Sequence, residues 1–390
     1  MLILFWVLLG FVLYGLAGYG LLLIALSRLR PAPPALPEST VARALDAVLL
    51  IAAHNEEADI GSKLENALAL EMGPHRLEIV VASDGSTDRT VEIVRSFAGR
   101  GVRLVEISPH RGKRFAIDAA LEQIAGDVVI FSDANSLFER HSLAALLRHF
   151  ADPSVGGVCG NLVVPERRRG WLGHCEALYW HYDHALKAAE SRLGGTVSAQ
   201  GSLYAVRREL LAPLPEATAD DLVTSLRVVA AGKRLVFEPS AVTREAVSDS
   251  GAGEFRRRVR STERGWRGLM LYRALLDPRR TGAYALRLFS HKLLRRLIPF
   301  LLVGIAITNA FLVGEGAFYL AAALGQLALY AAALLGWALP ALRRSPLFSV
   351  PLFFVMGQVA MALGVLNVLR GRRSDRWQPV RPAEASEIRR

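Results

Sequence analysis

Cysteine is scarce in this chain: Cys159 and Cys175 are the only two in 390 residues. Neither has the paired spacing of a zinc site, which excludes a disulfide framework and a cysteine-built metal centre and predicts two buried free thiols. Charge is missing altogether from residues 1–26, MLILFWVLLGFVLYGLAGYGLLLIAL. About 20 apolar residues suffice to cross a bilayer. A cleaved signal peptide would show a basic start, a shorter apolar core and a small-residue cleavage site. None of these is present, and the segment is expected to stay as an uncleaved anchor. No G-x-G-x-x-G follows the first β-rich run, which counts against a dinucleotide-binding oxidoreductase. Internal repeats and low-complexity segments are absent too.

Three further apolar stretches stand near the other end, at 297–313, 317–340 and 347–369. Between them and the anchor, charged residues alternate with apolar runs only 4 to 8 residues long, the texture of a water-exposed domain. The expected organisation is a transmembrane anchor (1–29), a proline-rich linker (30–45), an α/β domain (46–250), a basic interfacial segment (251–296), three membrane-embedded helices (297–370) and a basic polar tail (371–390). The formal net charge of +11 is mostly arginine, much of it flanking the apolar stretches: Arg28, Arg30, Arg295, Arg296, Arg343, Arg344, Arg370, Arg372 and Arg373. These places suit the positive-inside rule and anionic lipid headgroups, so the lipid bilayer is the expected partner and nucleic acid is not. Arg28 and Arg30 put the α/β domain on the cytoplasmic side of a multi-pass cell-membrane protein. Three C-terminal spans then carry the basic tail outside, against the same rule, so that either one segment is re-entrant or interfacial or the rule fails here.

Within 46–250, β-rich runs at 47–54, 77–84, 102–107 and 127–133 are separated by helical patterns at 57–70, 87–98, 112–124 and 139–150. This alternation predicts a mostly parallel sheet covered by helices, with ligands beyond the carboxyl ends of its strands. From 155 the rhythm changes to a strand, a long helix at 170–192, the run VSAQGSLYAVRREL, a helix from 219 and a last strand, which reads as a mixed half suited to an acceptor.

Polar clusters converge on the predicted strand ends. Asp84 closes one strand in SDGSTDRT, where a capped strand-to-helix turn is the plain reading and a ligand-binding carboxylate the functional one. Asp133 follows five apolar residues, where a carboxylate is costly unless it meets a metal, a hydroxyl or backbone amides. Asn135 stands two residues on, where an Asp-x-Asp metal motif would carry its second acid. Arg111, Lys113 and Arg114 open a helix just upstream and could form an anion site with its N-terminus. Asp220 and Asp221 open another helix, a pair able to divide capping from general-base catalysis. His174, His181 and His184 lie on an aromatic-rich helix without a second ligand pair, which argues for an amphipathic helix and not for zinc. The segment 254–269, EFRRRVRSTERGWRGL, reads as a membrane-surface helix whose arginines could also meet a leaving diphosphate.

Taken in order, IAAHNEE, Asp84 to Asp88, Gly112-Lys113, Asp133-x-Asn135, the glycine-containing acceptor strand, Asp220-Asp221 and the Arg/Trp segment resemble the membrane-bound, polysaccharide-synthase-like glycosyltransferases of family 2. The resemblance covers about residues 46–300. It implies a GT-A fold and an inverting transfer of a sugar from a nucleotide-sugar donor, usually UDP-linked, to a hydroxyl of a polysaccharide or lipid-linked acceptor, with Mg²⁺ or Mn²⁺ as cofactor. Asn55, Glu56 and Asp84 would then hold the nucleoside, Lys113 the donor phosphate or base, and Asp133 the metal and diphosphate. Asn135 would add a neutral oxygen, and Arg260, Arg264 and Trp266 would complete the donor side. Asp221, six residues before Arg227 as in the family's base-to-Arg spacing, would be the base with Asp220 beside it, and Gln200, Gly201 and Ser202 would border the acceptor. Two departures stand out: Asn135 itself, and the family's Gln-x-x-Arg-Trp, which has no literal counterpart because Ser261 follows Arg260 and one residue separates Arg264 too far from Trp266. The second departure leaves single-sugar transfer open beside processive synthesis. A polyprenyl-phosphate or glycolipid sugar transferase and a non-catalytic membrane scaffold of the same fold are the alternatives.

Overall fold

The computed structural model describes residues 1–30, 43–163, 171–245 and 251–372. Most of the expected linker and most of the basic tail lie outside these residues. The chain divides into two units, one formed by residues 1–26, 171–182 and 251–372 and the other by 27–30, 43–163 and 183–245. Helices α1 (Leu2–Leu13) and α2 (Tyr19–Arg28) join through a π-helical turn, Tyr14–Gly18, into one 27-residue helix. No proline or charged residue interrupts it before Arg28.

The sheet unit alternates as its hydrophobic periodicity predicts: β1 (Asp46–Ala53), α3 (Ile60–Leu68), β2 (Arg76–Asp84), α4 (Thr90–Ser96), β3 (Val102–Ile107), α5 (Lys113–Gln123) and β4 (Val128–Asp133). β1 lies between β2 and β4, parallel to both, and β3 extends the row. Seven of the eight β1 residues are buried, the mark of a strand covered on both faces. The remaining elements are β5 (Leu137–Phe138), α6 (Ser142–Leu147), β6 (Val155–Val163), α7 (Trp171–Arg192), β7 (Leu203–Arg207), α8 (Asp220–Ala230) and β8 (Arg234–Arg244). They complete an eight-stranded mixed sheet of order β3-β2-β1-β4-β7-β6-β8-β5. β7 runs antiparallel to both β4 and β6, while β6 and β8 are parallel and β5 is antiparallel to β8.

This topology places the chemistry. Asp133 is level with Ala52, Ser83 with Ala53, and Asp84 with Ile107, so the carboxyl ends of β1 to β4 share one edge. Because β7 is reversed, its beginning meets that edge: Leu203 pairs with Ser132 and brings the 200–202 loop beside Asp133. β6 and β8 again point their carboxyl ends the same way, and α8 starts there.

The other unit is helical. α9 (Gly251–Leu271) is followed by a short α10 (Pro278–Thr281), by α11 (Ala283–Leu288) and α12 (Arg295–Ala310), joined through a π-helical turn, then by α13 (Ala317–Ala338) and α14 (Pro346–Leu369). Four helices are long and apolar enough to cross a membrane: Leu2–Arg28, Ala283–Ala310, Ala317–Ala338 and Pro346–Leu369. The three C-terminal apolar stretches fall on the last three, the first of these helices beginning at Ala283 inside the basic segment. α1 packs on α12 and the turn after it through Phe5, Val12, Ile305 and Leu312. α9 lies on α14 where small residues allow close approach: a side chain at Gly364 would overlap Thr262, and one at Gly357 would meet the Arg258 guanidinium. Both cysteines are buried free thiols, as expected.

Candidate active site

Three loops at the carboxyl edge are tied into one frame by polar groups of the first two strand ends. Asn55, in the left-handed region at φ 55°, accepts through Oδ1 from the Thr87 amide at 2.7 Å, joining the loop after β1 to the loop after β2. The Glu56 amide donates to Thr90 Oγ1 at 2.7 Å and strengthens the same junction. Asp84 is fully buried, and its oxygens accept from the amides of Arg111 at 2.8 Å and Gly112 at 2.6 Å, while His110 Nδ1 approaches Oδ2 at 2.9 Å. Its carboxylate thus fixes the backbone immediately before Lys113. Gly85 makes this possible: its φ is 60°, and a Cβ there would overlap the backbone nitrogen of His110.

Lys113, so positioned, reaches across the edge. Its Nζ lies 2.7 Å from Asp133 Oδ1 and 3.2 Å from Asp220 Oδ2, bridging the end of β4 to the start of α8. Burial pulls its ammonium down, but the two carboxylates prevail and hold it above the ordinary lysine range. Asp221, next along α8, turns Oδ1 back to the Leu222 amide at 2.7 Å, while its Oδ2 is the nearest atom to the open side of Gly201. Ser225, one turn on, donates to the Asp221 carbonyl at 2.6 Å and accepts from the Ala199 amide at 2.8 Å, which ties α8 to the loop carrying Gln200, Gly201 and Ser202. Arg227 donates to the carbonyls of Ala212 and Pro213 and shapes the approach to α8. The structure therefore brings Lys113, Asp133, Asp220, Asp221 and the 200–202 loop together.

Several residues of this edge went unread in the sequence. Lys187 and Asp183, both buried, pair at 3.1 Å, and Lys187 donates to Gln200 Oε1 at 3.3 Å, holding the loop from behind. The Gln200 Nε2 and Ser202 Oγ atoms are buried without a hydrogen-bond partner among the described residues. Tyr204 stacks on Phe131 with ring centroids 4.7 Å apart. Burial first, then the charges of Asp220 and Asp221, push its phenol well above the usual range. Lys63 is wholly buried under the 133–136 turn, with Nζ 2.5 Å from the Ser136 carbonyl and 3.4 Å from the Phe138 ring centre. Desolvation lowers it to about 7 against the opposing pull of Asp133 and Glu245. Glu245, just past β8, reaches Asn135 and Ser136. A lysine on an otherwise apolar helix face was the one signal in the sequence that could have marked Lys63; the others depend on long-range pairing.

Among the described residues no group of three or more His, Cys, Asp or Glu is arranged to hold a metal ion. The chemistry present still suits a hard divalent cation that keeps most of its shell for other ligands. Asp133 Oδ2 has no protein hydrogen bond among the described residues, and Asn135 spends its amide Nδ2 on Glu245, which keeps its carbonyl oxygen as an acceptor.

Arg260, Arg264 and Trp266 belong to α9 of the helical unit. Arg257 there binds Glu254 at 2.6 Å, Arg258 does so at 2.5 Å, and Asn367 of α14 donates to Glu263 at 2.6 Å. Burial, then Arg264 and Arg257, pull the Arg260 guanidinium below its ordinary range, a crowding of like charge that an anion would relieve.

The reversed β7 in an otherwise parallel-start sheet, with an acidic strand end and an acidic helix start at one edge, is the architecture of GT-A glycosyltransferases. A solved mannosyltransferase from Pyrobaculum calidifontis, PcManGT, in complex with GDP-Man and Mn²⁺, superimposes with a TM-score of 0.71 over 95% of this chain and 100% of its own, at 24% identity. The family described as glycosyltransferase like family 2 matches residues 46–264, and the chain belongs to it. Among curated proteins it is 29% identical to an N-acetylglucosaminyltransferase of Rhizobium meliloti strain 1021 over 263 residues, covering 63% of this chain and 61% of that protein. It is 28% identical over 200 residues to an N-acetylglucosaminyltransferase of Azorhizobium caulinodans (47% of this chain, 50% of that one), and 24% identical over 223 residues to the poly-beta-1,6-N-acetyl-D-glucosamine synthase of Staphylococcus aureus strain COL (55% and 53%). The chain thus spans about half to three-fifths of the length of these relatives.

Proposed function

We propose that this protein is a membrane-bound inverting glycosyltransferase that moves a sugar, N-acetylglucosamine before others, from a UDP-linked donor to a hydroxyl of a lipid-linked or polysaccharide acceptor on the cytoplasmic side. The observation that carries this reading is the Lys113 bridge between Asp133 and Asp220, with Asp221 next to it facing the Gly201 loop. It separates one edge of the sheet into a side for a leaving diphosphate and a side for an incoming hydroxyl. The names of the curated relatives support N-acetylglucosamine, and the four apolar helices support work at a membrane.

In this reading Asn55, Glu56 and the Asp84-held loop receive the nucleoside. Lys113 releases Asp133 and turns its charge to the donor diphosphate. Mg²⁺ or Mn²⁺, held by Asp133 with Asn135 near it, would supply further charge compensation for the leaving group. Gln200 and Ser202, with their unpaired polar atoms, and the open Gly201 seat the acceptor. Asp221 accepts the proton of the attacking hydroxyl as it meets the anomeric carbon opposite the departing diphosphate, and Asp220 shares the charge at that helix start.

Purified full-length protein in detergent, with Mn²⁺ and a panel of sugar nucleotides, is expected to transfer or slowly hydrolyse one of them. Asp221→Asn should cut turnover by roughly 10²- to 10⁴-fold with donor affinity kept. No turnover with any donor, or an active Asp221→Asn protein, would contradict the reading.

A further inference from the structure

Residue 135 is an asparagine where an Asp-x-Asp turn has its second acid, and the fold answers the deficit from another strand. β5 pairs antiparallel with β8, Leu137 opposite Arg244 and Phe138 opposite Thr243. One step further along that ladder sets Glu245 across from Ser136. The side chains complete what the register begins: Glu245 Oε1 accepts from Asn135 Nδ2 at 3.2 Å, and Oε2 accepts from Ser136 Oγ at 3.3 Å. Both oxygens are therefore held over the turn that carries Asp133. An aspartate at 135 would press its carboxylate against Glu245, whereas an asparagine donates to it.

The surroundings show that this turn is built to carry concentrated negative charge. Lys63 is fully buried beneath it, its ammonium on the Ser136 carbonyl and within the field of both Asp133 and Glu245. Burying a lysine costs several kcal/mol unless nearby charge compensates it. Tyr204, 1% exposed, lies at the same edge: its hydroxyl has no hydrogen-bond partner among the described residues, and Asp220, Asp221 and Asp133 all bear on it electrostatically.

We propose that Glu245 supplies the second carboxylate that position 135 lacks, so that Asp133 and Glu245 together hold the donor's divalent cation and Asn135 fixes Glu245 in place. The inference rests on the proposed glycosyl transfer for the presence of that cation. It makes Asn135 and Glu245 an exchangeable pair, an amide and a carboxylate in contact across 110 residues of sequence.

The test is Mn²⁺ binding to the full-length protein in detergent with UDP present, followed by electron paramagnetic resonance. Glu245→Gln is expected to weaken Mn²⁺ on the order of tenfold, and the exchange Asn135→Asp with Glu245→Gln to recover most of that loss, since it returns a carboxylate to the turn. A loss below threefold, or a double variant no better than Glu245→Gln, overturns the assignment. Should a variant fail to fold, the wild-type complex with Mn²⁺ and UDP decides: a Glu245 oxygen at about 2.2 Å from the ion supports the assignment, and one more than about 4 Å away sinks it. Wild-type protein that binds no Mn²⁺ with UDP also sinks it, even if sugar transfer is found. The expected binding pattern without transfer from any donor would keep the Glu245 assignment and remove the proposed function.

Discussion

At the scale of single residues, the carboxylates of this edge divide into those that shape the frame and those that face outward. Asp84 sits at a strand end that the sequence singles out, and its two oxygens are taken up by the Arg111 and Gly112 amides. The turn is structural, as the plain reading has it, and its clamp aims Lys113, on which the proposed donor site depends. Gly85 is the residue that this arrangement can least spare. Gly85→Ala should cost at least about 1–2 kcal/mol for the left-handed backbone alone, before the overlap with His110 is relieved. A lower melting temperature in detergent together with weakened UDP binding is expected; unchanged UDP binding would show that the clamp does not govern Lys113. Asp84, Asp133, Lys113 and the Asp220-Asp221 pair were legible because each closes or opens a periodic segment with an unusual polar residue. Glu245 was not, since nothing local distinguishes it and only the β5–β8 register brings it to Asn135.

Among the elements, the parallel half of the sheet follows directly from sequence. Short β-branched runs alternate with amphipathic helical ones, and β1 to β4 and their helices stand where that periodicity puts them. The second half was legible only as mixed, because strand direction there is set by pairing that no period encodes: β7 enters reversed between β4 and β6. β8 is fastened to the far side of this half by Glu238, which accepts from Arg148 at 2.6 Å and from Ser240 Oγ at 2.5 Å and meets His149 Nε2 at 2.6 Å. Burial pushes its carboxyl up, but His149, Ser240 and Arg148 outweigh burial and bring it down to about 2. A carboxyl depressed in the folded state contributes stability that is complete above its unfolded value of 4.5 and fades as the pH falls toward about 2. The contribution amounts to at most about 3 kcal/mol. Glu238→Gln is expected to lower the melting temperature at neutral pH and to flatten its fall between pH 4.5 and 2. An equally steep acid limb in the variant would mean that other carboxylates carry it.

For the whole molecule, the four apolar helices fix a pattern of sides once the sheet unit is assigned to the cytoplasm. The loop at Glu315 then lies outside, and the basic turn with Arg343 and Arg344 lies inside, in keeping with the positive-inside rule. Both native cysteines are buried, so single introduced cysteines can report. In intact cells a membrane-impermeant maleimide should label Glu315→Cys, and should reach Arg344→Cys and Glu92→Cys only after the membrane is opened. The reverse pattern would place the sheet unit outside and deprive it of a cytoplasmic donor. The central claim, single-displacement transfer with Asp221 as base, is tested most directly by the anomeric configuration of the product, read by nuclear magnetic resonance on sugar transferred by the full-length protein from an α-linked UDP-sugar. A β-linked product that disappears in Asp221→Asn is the predicted result; an α-linked product, or a β-linked one made equally well without the Asp221 carboxylate, would contradict the account.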